Sequence, residues 1–388
     1  MHADLPLDVE SARAPLRILV LSWRDLGHPE AGGSELFMVR AAAGLAGRGH
    51  DVTVLCGAYP GAAAEDHLEG VRYLRRGRRY SVYLHAARHL AANRDRYDVV
   101  LDIQNGVPFW APLFTDVPVV NLVHHVHREQ WRIFFGPGIA QLGWFLESRC
   151  APAVYRRSPY LTVSEPTREE LGRLGVAAER VQVVPVGFDP APPADHVADA
   201  APSLITVGRL VPHKRVELAV DAVATLRGRF PGLTLTVVGQ GGWEEHIRAH
   251  AEQLGVADAV RFTGFVDEHT KNRLLAEAWV HALPSVKEGW GLVVLEAAAW
   301  GVPSVAFRDA GGTRDSVVDG VTGLLADDAA DFTAKVATLL ADRAERERMA
   351  VACREHSRSY TWDHTTRAVE AGLRAAVTGA PSDRVPAT

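Results

Sequence analysis

The sequence predicts an α/β protein built as two doubly wound parallel-sheet domains facing each other across a cleft. Three observations predict it. A chain of 388 residues is long for one hydrophobic core, so two domains are expected. Short β-branched runs alternate with amphipathic stretches, the pattern of parallel strands joined by crossover helices. The alternation breaks once, at 189–202, where four prolines and no periodicity mark a linker.

The elements follow in order. Arg17–Ser22 reads as a first buried strand, and Ser34–Ala46 as a helix with Leu36, Val39, Ala43 and Ala46 at helical spacing. Gly47 and Gly49 stop that helix, and Asp51–Cys56 is the next strand. Strands at Val99–Ile103, Val117–His124 and Tyr160–Ser164 continue the series, the last before a helix opened by Pro166-Thr167-Arg168-Glu169-Glu170. Beyond the linker come strand Ser203–Val207, helix Val216–Arg227, strand Leu233–Val238 and helix Glu244–Leu254. Strand Val260–Phe262, helix Lys271–Ala278, strand Val280–Leu283, helix Leu292–Trp300 and strand Ser304–Phe307 complete the run. The domains are therefore placed at 15–188 and 203–362, with a last helix at 363–378; the first 14 residues and the tail from Gly379 read as disordered. In paired sheets of this kind ligands bind at the carboxyl ends of the strands, which here means the cleft.

Composition excludes several classes. A net charge of −5 argues against a nucleic-acid binder, which needs phosphate-seeking positive charge. Three scattered cysteines, Cys56, Cys150 and Cys353, form neither a disulfide framework nor a zinc site. No stretch approaches the roughly 18 apolar residues of a membrane span. The opening residues carry acids where a signal peptide carries positive charge, so the expectation is a cytoplasmic protein.

The most informative stretch is Lys287-Glu288-Gly289-Trp290-Gly291-Leu292, which runs into an apolar helix containing Glu296. Glu288 stands in a loop, where a carboxylate accepts hydrogen bonds from sugar hydroxyls. The N–H groups of Gly289, Trp290, Gly291 and Leu292 open a helix and face an anion. Glu296 lies about one turn on, where a carboxylate can take both hydroxyls of a ribose. Gly239-Gln240-Gly241-Gly242 follows a strand but lacks the third glycine of G-x-G-x-x-G, and reads as a tight turn. His124, His125 and His127 form a His-His-x-His cluster without an acidic partner at a ligand spacing, and no Asp-x-Asp occurs, so no metal is expected. The basic run Arg72 to Arg79, with Trp131, Ile133, Phe134 and Phe135, reads either as peripheral contact with anionic lipid at a membrane or with a phosphorylated acceptor or, more simply, as a solvated basic face.

These motifs, in this order, resemble a retaining glycosyltransferase of the GT-B fold, in the large family four group that includes phosphatidylinositol mannosyltransferases and relatives of the sucrose and glycogen-type synthases. The resemblance runs from Arg17 to about Val377. It implies that the first domain binds the acceptor, the second binds a nucleotide diphosphate sugar, and the last helix crosses back onto the first. It implies that Arg209 and Lys214, in Val207-Gly208-Arg209-Leu210-Val211-Pro212-His213-Lys214, clamp the donor diphosphate. Two cations can stabilise that leaving group without a metal or cofactor. The resemblance places Val266, Glu268 and Lys271 near the nucleotide, Glu288 on the sugar and Glu296 on the ribose. It sets Gly33 beside the donor phosphate, and Glu35, Gln104 and Asn105 toward the acceptor. It also implies that His124 contacts a donor hydroxyl at the reacting sugar. The acceptor itself, whether a small molecule, a lipid-linked group or a glycan, is left open.

Two enzyme classes compete with this reading. A sugar-nucleotide 2-epimerase would share the architecture but need no acceptor. A nicotinamide-dependent oxidoreductase is disfavoured, because Leu21-Ser22-Trp23-Arg24-Asp25-Leu26 stands where its glycine fingerprint belongs. A sugar-binding protein without activity would not need both cations and both glutamates together.

Overall fold

The computed structural model describes residues 14–189 and 199–379. The expected disorder at the N-terminus and most of the expected linker and tail lie outside those residues. The first lobe begins β1 (Arg17–Leu21), α1 (Gly33–Gly47), β2 (Asp51–Cys56), β3 (Glu65–Leu68), β4 (Val71–Arg75), α2 (Ser81–Ala92) and β5 (Val99–Gln104). It continues with β6 (Val119–Val123), α3 (Arg128–Phe134), α4 (Pro137–Phe145), α5 (Ala151–Val154), β7 (Tyr160–Thr162), α6 (Glu165–Arg173) and β8 (Val181–Val183). The second lobe begins β9 (Ser203–Val207), α7 (Glu217–Leu226), β10 (Thr234–Val238), α8 (Glu244–Gln253), β11 (Val260–Gly264) and α9 (Glu268–Glu277). It continues with β12 (Val280–Leu283), α10 (Leu292–Ala299), β13 (Ser304–Phe307), α11 (Thr313–Ser316), β14 (Gly323–Ala326), α12 (Ala329–Ala341) and α13 (Arg343–Arg358). Last comes α14 (Trp362–Thr378).

The first sheet has the order β3-β4-β2-β1-β5-β6-β7-β8 and the second β11-β10-β9-β12-β13-β14. Every pairing is parallel except β3 with β4 at one edge. The strands are apolar on both faces because helices cover both faces. In β1, Ile18 and Val20 point into a cluster with Phe37, Leu45, Val369 and Leu373, while Leu19 and Leu21 point into one with Val82, Ala86 and Leu90. The second sheet repeats the arrangement, with Leu204 and Val237 on one side and Ile205 and Val238 on the other. Chain direction reverses its spread between β1 and β5, and again between β9 and β12. The loops leaving those strands therefore meet at the cleft.

The last helix belongs physically to the first lobe. Val369 and Leu373 of α14 are fully buried in the first-lobe core. Gln182 Nε2 donates to the Ala368 carbonyl at 3.0 Å, and Thr365 Oγ1 donates to the Pro185 carbonyl at 2.7 Å. The lobes also touch directly. The Glu165 N–H donates to Asp315 at 2.7 Å, Arg314 pairs with Glu169 at 2.8 Å, and the buried Lys287 ammonium pairs with Glu170.

The basic run of the first lobe is solvated except at Arg75, with Arg78 and Arg79 exposed. Arg75 is 5% exposed and pairs with Asp25 at 2.6 Å. Arg72 and Arg76 both pair with Glu65 on the edge strand. Arg75 departs from the solvated face because β4 turns Tyr73 and Arg75 to the same buried side.

Candidate active site

The cleft is built by segments leaving the carboxyl ends of β9 and β12 in the second lobe and of β1 and β6 in the first. The loop after β9 carries Arg209 and Lys214. It is held from below by the glycine turn after β10. A Cβ on Gly239 would stand 2.0 Å from the Gly208 carbonyl oxygen, and one on Gly241 would stand 2.2 Å from that of Leu210. The Leu210 N–H donates to the Gln240 carbonyl at 3.0 Å. The turn that looked like an incomplete dinucleotide motif is thus the support on which Arg209 sits. Glycine spacing immediately after a strand was the available signal. Arg209 itself is exposed and makes no hydrogen bond or salt bridge among the described residues.

The loop after β12 carries Glu288. Its carboxylate is 2.5 Å from the Lys214 ammonium, so two loops meet at one ion pair. Burial would raise the Glu288 carboxyl, but the charge and hydrogen bond of Lys214 outweigh it and hold it below the usual carboxylate range. Glu288 therefore stays charged at neutral pH. Its backbone is also fixed: the N–H donates to the Ala310 carbonyl at 2.7 Å, and its carbonyl accepts from the Gly312 N–H at 3.0 Å. A narrow crevice between these loops is lined by Thr206, Gly208, Arg209, Lys214 and Ser285.

Gly291 begins α10 with φ of +92°, a left-handed conformation that favours glycine. Trp290 does not present its ring to the cleft. It is 5% exposed, packs edge-on to Tyr360 at 4.9 Å and joins the first-lobe core. Any donor contact there must come from backbone. One turn into α10, Glu296 accepts a hydrogen bond from the Lys271 ammonium at 3.0 Å, and Lys271 also pairs with Glu268 at 2.9 Å. Burial works against the Lys271 charge, but Glu296 and Glu268 outweigh it and raise its pKa. Val266 packs beside them against the core formed by Leu274 and Leu275. The turn after β11 and the first turns of α9 and α10 thus converge.

The first lobe closes the site from the other side. His124 follows β6 and lies edge-on to Phe37 at 5.2 Å, with its Nε2 lacking a hydrogen-bond partner among the described residues. Burial lowers its pKa to about 4, so the ring is neutral. A Cβ on Gly289 would lie 2.9 Å from the His124 carbonyl oxygen, which places the glutamate loop directly against this residue. Gly33 faces Leu292 just as closely, its added Cβ standing 3.2 Å from the leucine side chain. The neighbouring Gly32 faces Arg209. The structure thus brings Gly33, His124, Arg209, Lys214, Glu288, Gly289 and Leu292 to one cleft.

Two residues expected to reach an acceptor are turned inward instead. Glu35 is 1% exposed; one oxygen accepts from Arg24 at 2.9 Å and the other from the Gly32 N–H at 2.7 Å. It caps the start of α1 by reaching back to the N-cap backbone. Gln104 is 3% exposed, donating to the Gly106 carbonyl at 3.0 Å and accepting from Asn121 at 2.9 Å. Asn105 forms a backbone bridge with Val107 in the same turn. His127 does have an acidic partner: Glu147 contacts its Nδ1 at 3.1 Å and also accepts from Trp131. Even so, no group of three or more His, Cys, Asp or Glu residues gathers as a metal site among the described residues. Nor is any described helix long and apolar enough to cross a membrane.

Buried histidines give the fold a pH dependence. His124, His213 and His281 are each lowered to about 4, chiefly by burial. Between pH 6.5 and 4 the unfolded chain binds these protons and the folded chain does not, so stability falls as pH falls. The melting temperature is therefore expected to drop through that window. His281→Gln should flatten the slope by removing one of these groups, and an unchanged slope would contradict the assignment.

Two α/β lobes with a cleft built at paired strand ends are the GT-B architecture. The family model for glycosyl transferases group 1 matches residues 193–356, and that for glycosyltransferase family 4 matches residues 31–192. The chain belongs to this glycosyltransferase family. A glycogen synthase of Mycobacterium tuberculosis (strain ATCC 25618 / H37Rv) is 32% identical over 282 residues, covering 70% of this chain and 67% of the relative. A D-inositol 3-phosphate glycosyltransferase of Kribbella flavida is 36% identical over 236 residues, covering 55% of each chain. A match to the latter relative thus spans about half its length. Among solved structures, the sucrose-phosphate synthase of Thermosynechococcus elongatus superposes with a TM-score of 0.79 at 20% identity, covering 95% of this chain and all of that one. Anabaena Alr3699/HepE, solved with UDP-glucose, gives 0.72 at 19% identity, covering 93% of this chain and all of the other. These likenesses to solved structures show the fold. The epimerase reading of the sequence is not favoured by this set of relatives.

Proposed function

We propose that this glycosyltransferase moves a sugar from a nucleoside diphosphate sugar to an acceptor with retention of configuration and without a metal ion. One observation carries the reading: an unpaired Arg209 and Lys214, whose ammonium pairs with Glu288, line one crevice at the carboxyl end of β9. That crevice has an excess of positive charge, and a diphosphate leaving group supplies the opposite sign. In this scheme the nucleotide lies along β11 and α10, with Glu296 on the ribose hydroxyls and the backbone at Val266 near the base. Lys271 holds Glu296 in place, with Glu268 on its outer side. Arg209 and Lys214 neutralise the diphosphate as its bond to the anomeric carbon breaks. Glu288 binds sugar hydroxyls, while the backbone at Gly289 and Gly33 lets the phosphates approach closely.

The acceptor oxygen then bonds to the anomeric carbon on the face the phosphate leaves. Its proton passes to a departing phosphate oxygen, so no protein nucleophile is consumed. The neutral His124 borders the reacting sugar and its free Nε2 suits a hydroxyl contact. Contact between the lobes excludes water from the activated sugar. Which base, sugar and acceptor are used follows from screening nucleoside diphosphate sugars and reading the product anomer by NMR. The proposal expects an α-configured donor to give an α-linked product, and activity unchanged in EDTA. An inverted product, or strict dependence on Mg²⁺ or Mn²⁺, would overturn the respective half of it.

A further inference from the structure

A cluster of exposed apolar side chains lies not on the basic run but on α3 and α4, at the rim of the cleft. Ile139, Leu142 and Phe145 are 60%, 58% and 54% exposed, and their spacing of three residues puts them on one face of α4. Ile133 and Phe134 of α3, 37% and 47% exposed, extend the patch. Soluble proteins seldom expose such a cluster without a use for it. The helices are not loosely held. The Trp131 ring packs where a Cβ on Gly143 would stand 2.4 Å away, and its indole N–H donates to Glu147 at 2.6 Å. The patch also borders the donor side of the cleft: Phe134 lies edge-on to His213, next to Lys214, at 5.5 Å.

Charge says what covers it. The segment 128–157 has five arginines, Arg128, Arg132, Arg149, Arg156 and Arg157, against Glu129 and Glu147, in a chain of net charge −5. Glu147 is 1% exposed and turned to His127 and Trp131, so Glu129 is the one acid of this segment at the surface. Arg149 sits one turn beyond Phe145 on the same side of the helix. We propose that this face seats the protein on an anionic lipid bilayer, with the apolar side chains entering the headgroup boundary and the arginines meeting lipid phosphates. A second copy is the poorer occupant, since a two-fold contact would set these arginines against themselves. The inference concerns the surface alone and does not depend on the donor scheme.

Co-sedimentation of the full chain with vesicles tests it. Phosphatidylglycerol-containing vesicles should pull the protein down, and neutral phosphatidylcholine vesicles should do so at least tenfold less. The double variant Leu142→Glu/Phe145→Glu should lose at least tenfold in partitioning with an unchanged melting temperature. Arg78→Glu/Arg79→Glu, outside the patch, should bind as the wild type does. No wild-type binding to anionic vesicles would overturn the inference, as would unchanged binding of the apolar variant. So would loss of binding in the Arg78/Arg79 variant alone. A wild-type dimer in solution that the apolar variant dissociates would make a second copy the occupant, and the inference would fail.

Discussion

Replacing Lys214 by alanine lowers turnover by about 10²–10³-fold, the usual cost of removing one preorganised charge stabiliser. The geometry makes this change costly in two ways. The ammonium lost is one of two cations at the crevice, and it is also the partner of Glu288 at 2.5 Å. Without Lys214 the largest influence left on Glu288 is burial, which raises its carboxyl toward protonation and weakens its grip on sugar hydroxyls. Steady-state rates with a saturating donor, beside a melting curve to establish folding, measure the effect. Turnover within a few-fold of wild type in a folded Lys214→Ala protein would remove the diphosphate clamp from the mechanism.

Gly312→Val is expected to lower activity by about 10²-fold through shape alone. A Cβ at this position would stand 2.0 Å from the Gly289 carbonyl oxygen and 2.6 Å from the Trp290 Cα, both backbone atoms that cannot rotate aside. The loop carrying Glu288 must then move, and a displacement of about 1 Å at a reacting centre costs about 10²-fold. Overpacking also destabilises, by about 1–3 kcal/mol, so the melting temperature should fall as well. Gly242→Ala is the control: nothing lies within 4 Å of its added Cβ, and it should behave as wild type. Normal activity in Gly312→Val would mean that the packing of these two loops does not position Glu288.

The parts of the fold that were legible were those whose signal is local. Asp51–Cys56, Ser203–Val207, Val280–Leu283 and Ser304–Phe307 are strands over those same residues, because apolar runs buried on both faces leave little doubt about period or length. The β3–β4 hairpin escaped because Glu65-Asp66-His67-Leu68 is a polar edge strand without an apolar face. The Lys-Glu-Gly-Trp-Gly stretch announced the loop-to-helix corner of the site through its glycines. What it could not announce was direction. Trp290 turns to Tyr360, seventy residues later, and Glu35 turns to Arg24 across a loop. Such partners are set by tertiary contact, which spacing along the chain does not encode. The exposed face of α4 was hidden for the same reason: Ile139, Leu142 and Phe145 have the periodicity of a buried helix, and only the fold leaves them uncovered.

The central claim is that the second lobe holds a nucleoside diphosphate between its cation pair and its two glutamates. A crystal structure with uridine or guanosine diphosphate bound tests it most directly. The account predicts phosphate oxygens within hydrogen-bonding distance of Arg209 and the Lys214 ammonium, with the ribose hydroxyls on Glu296. A nucleotide bound elsewhere on the protein, with Arg209 and Lys214 free of phosphate, would contradict it.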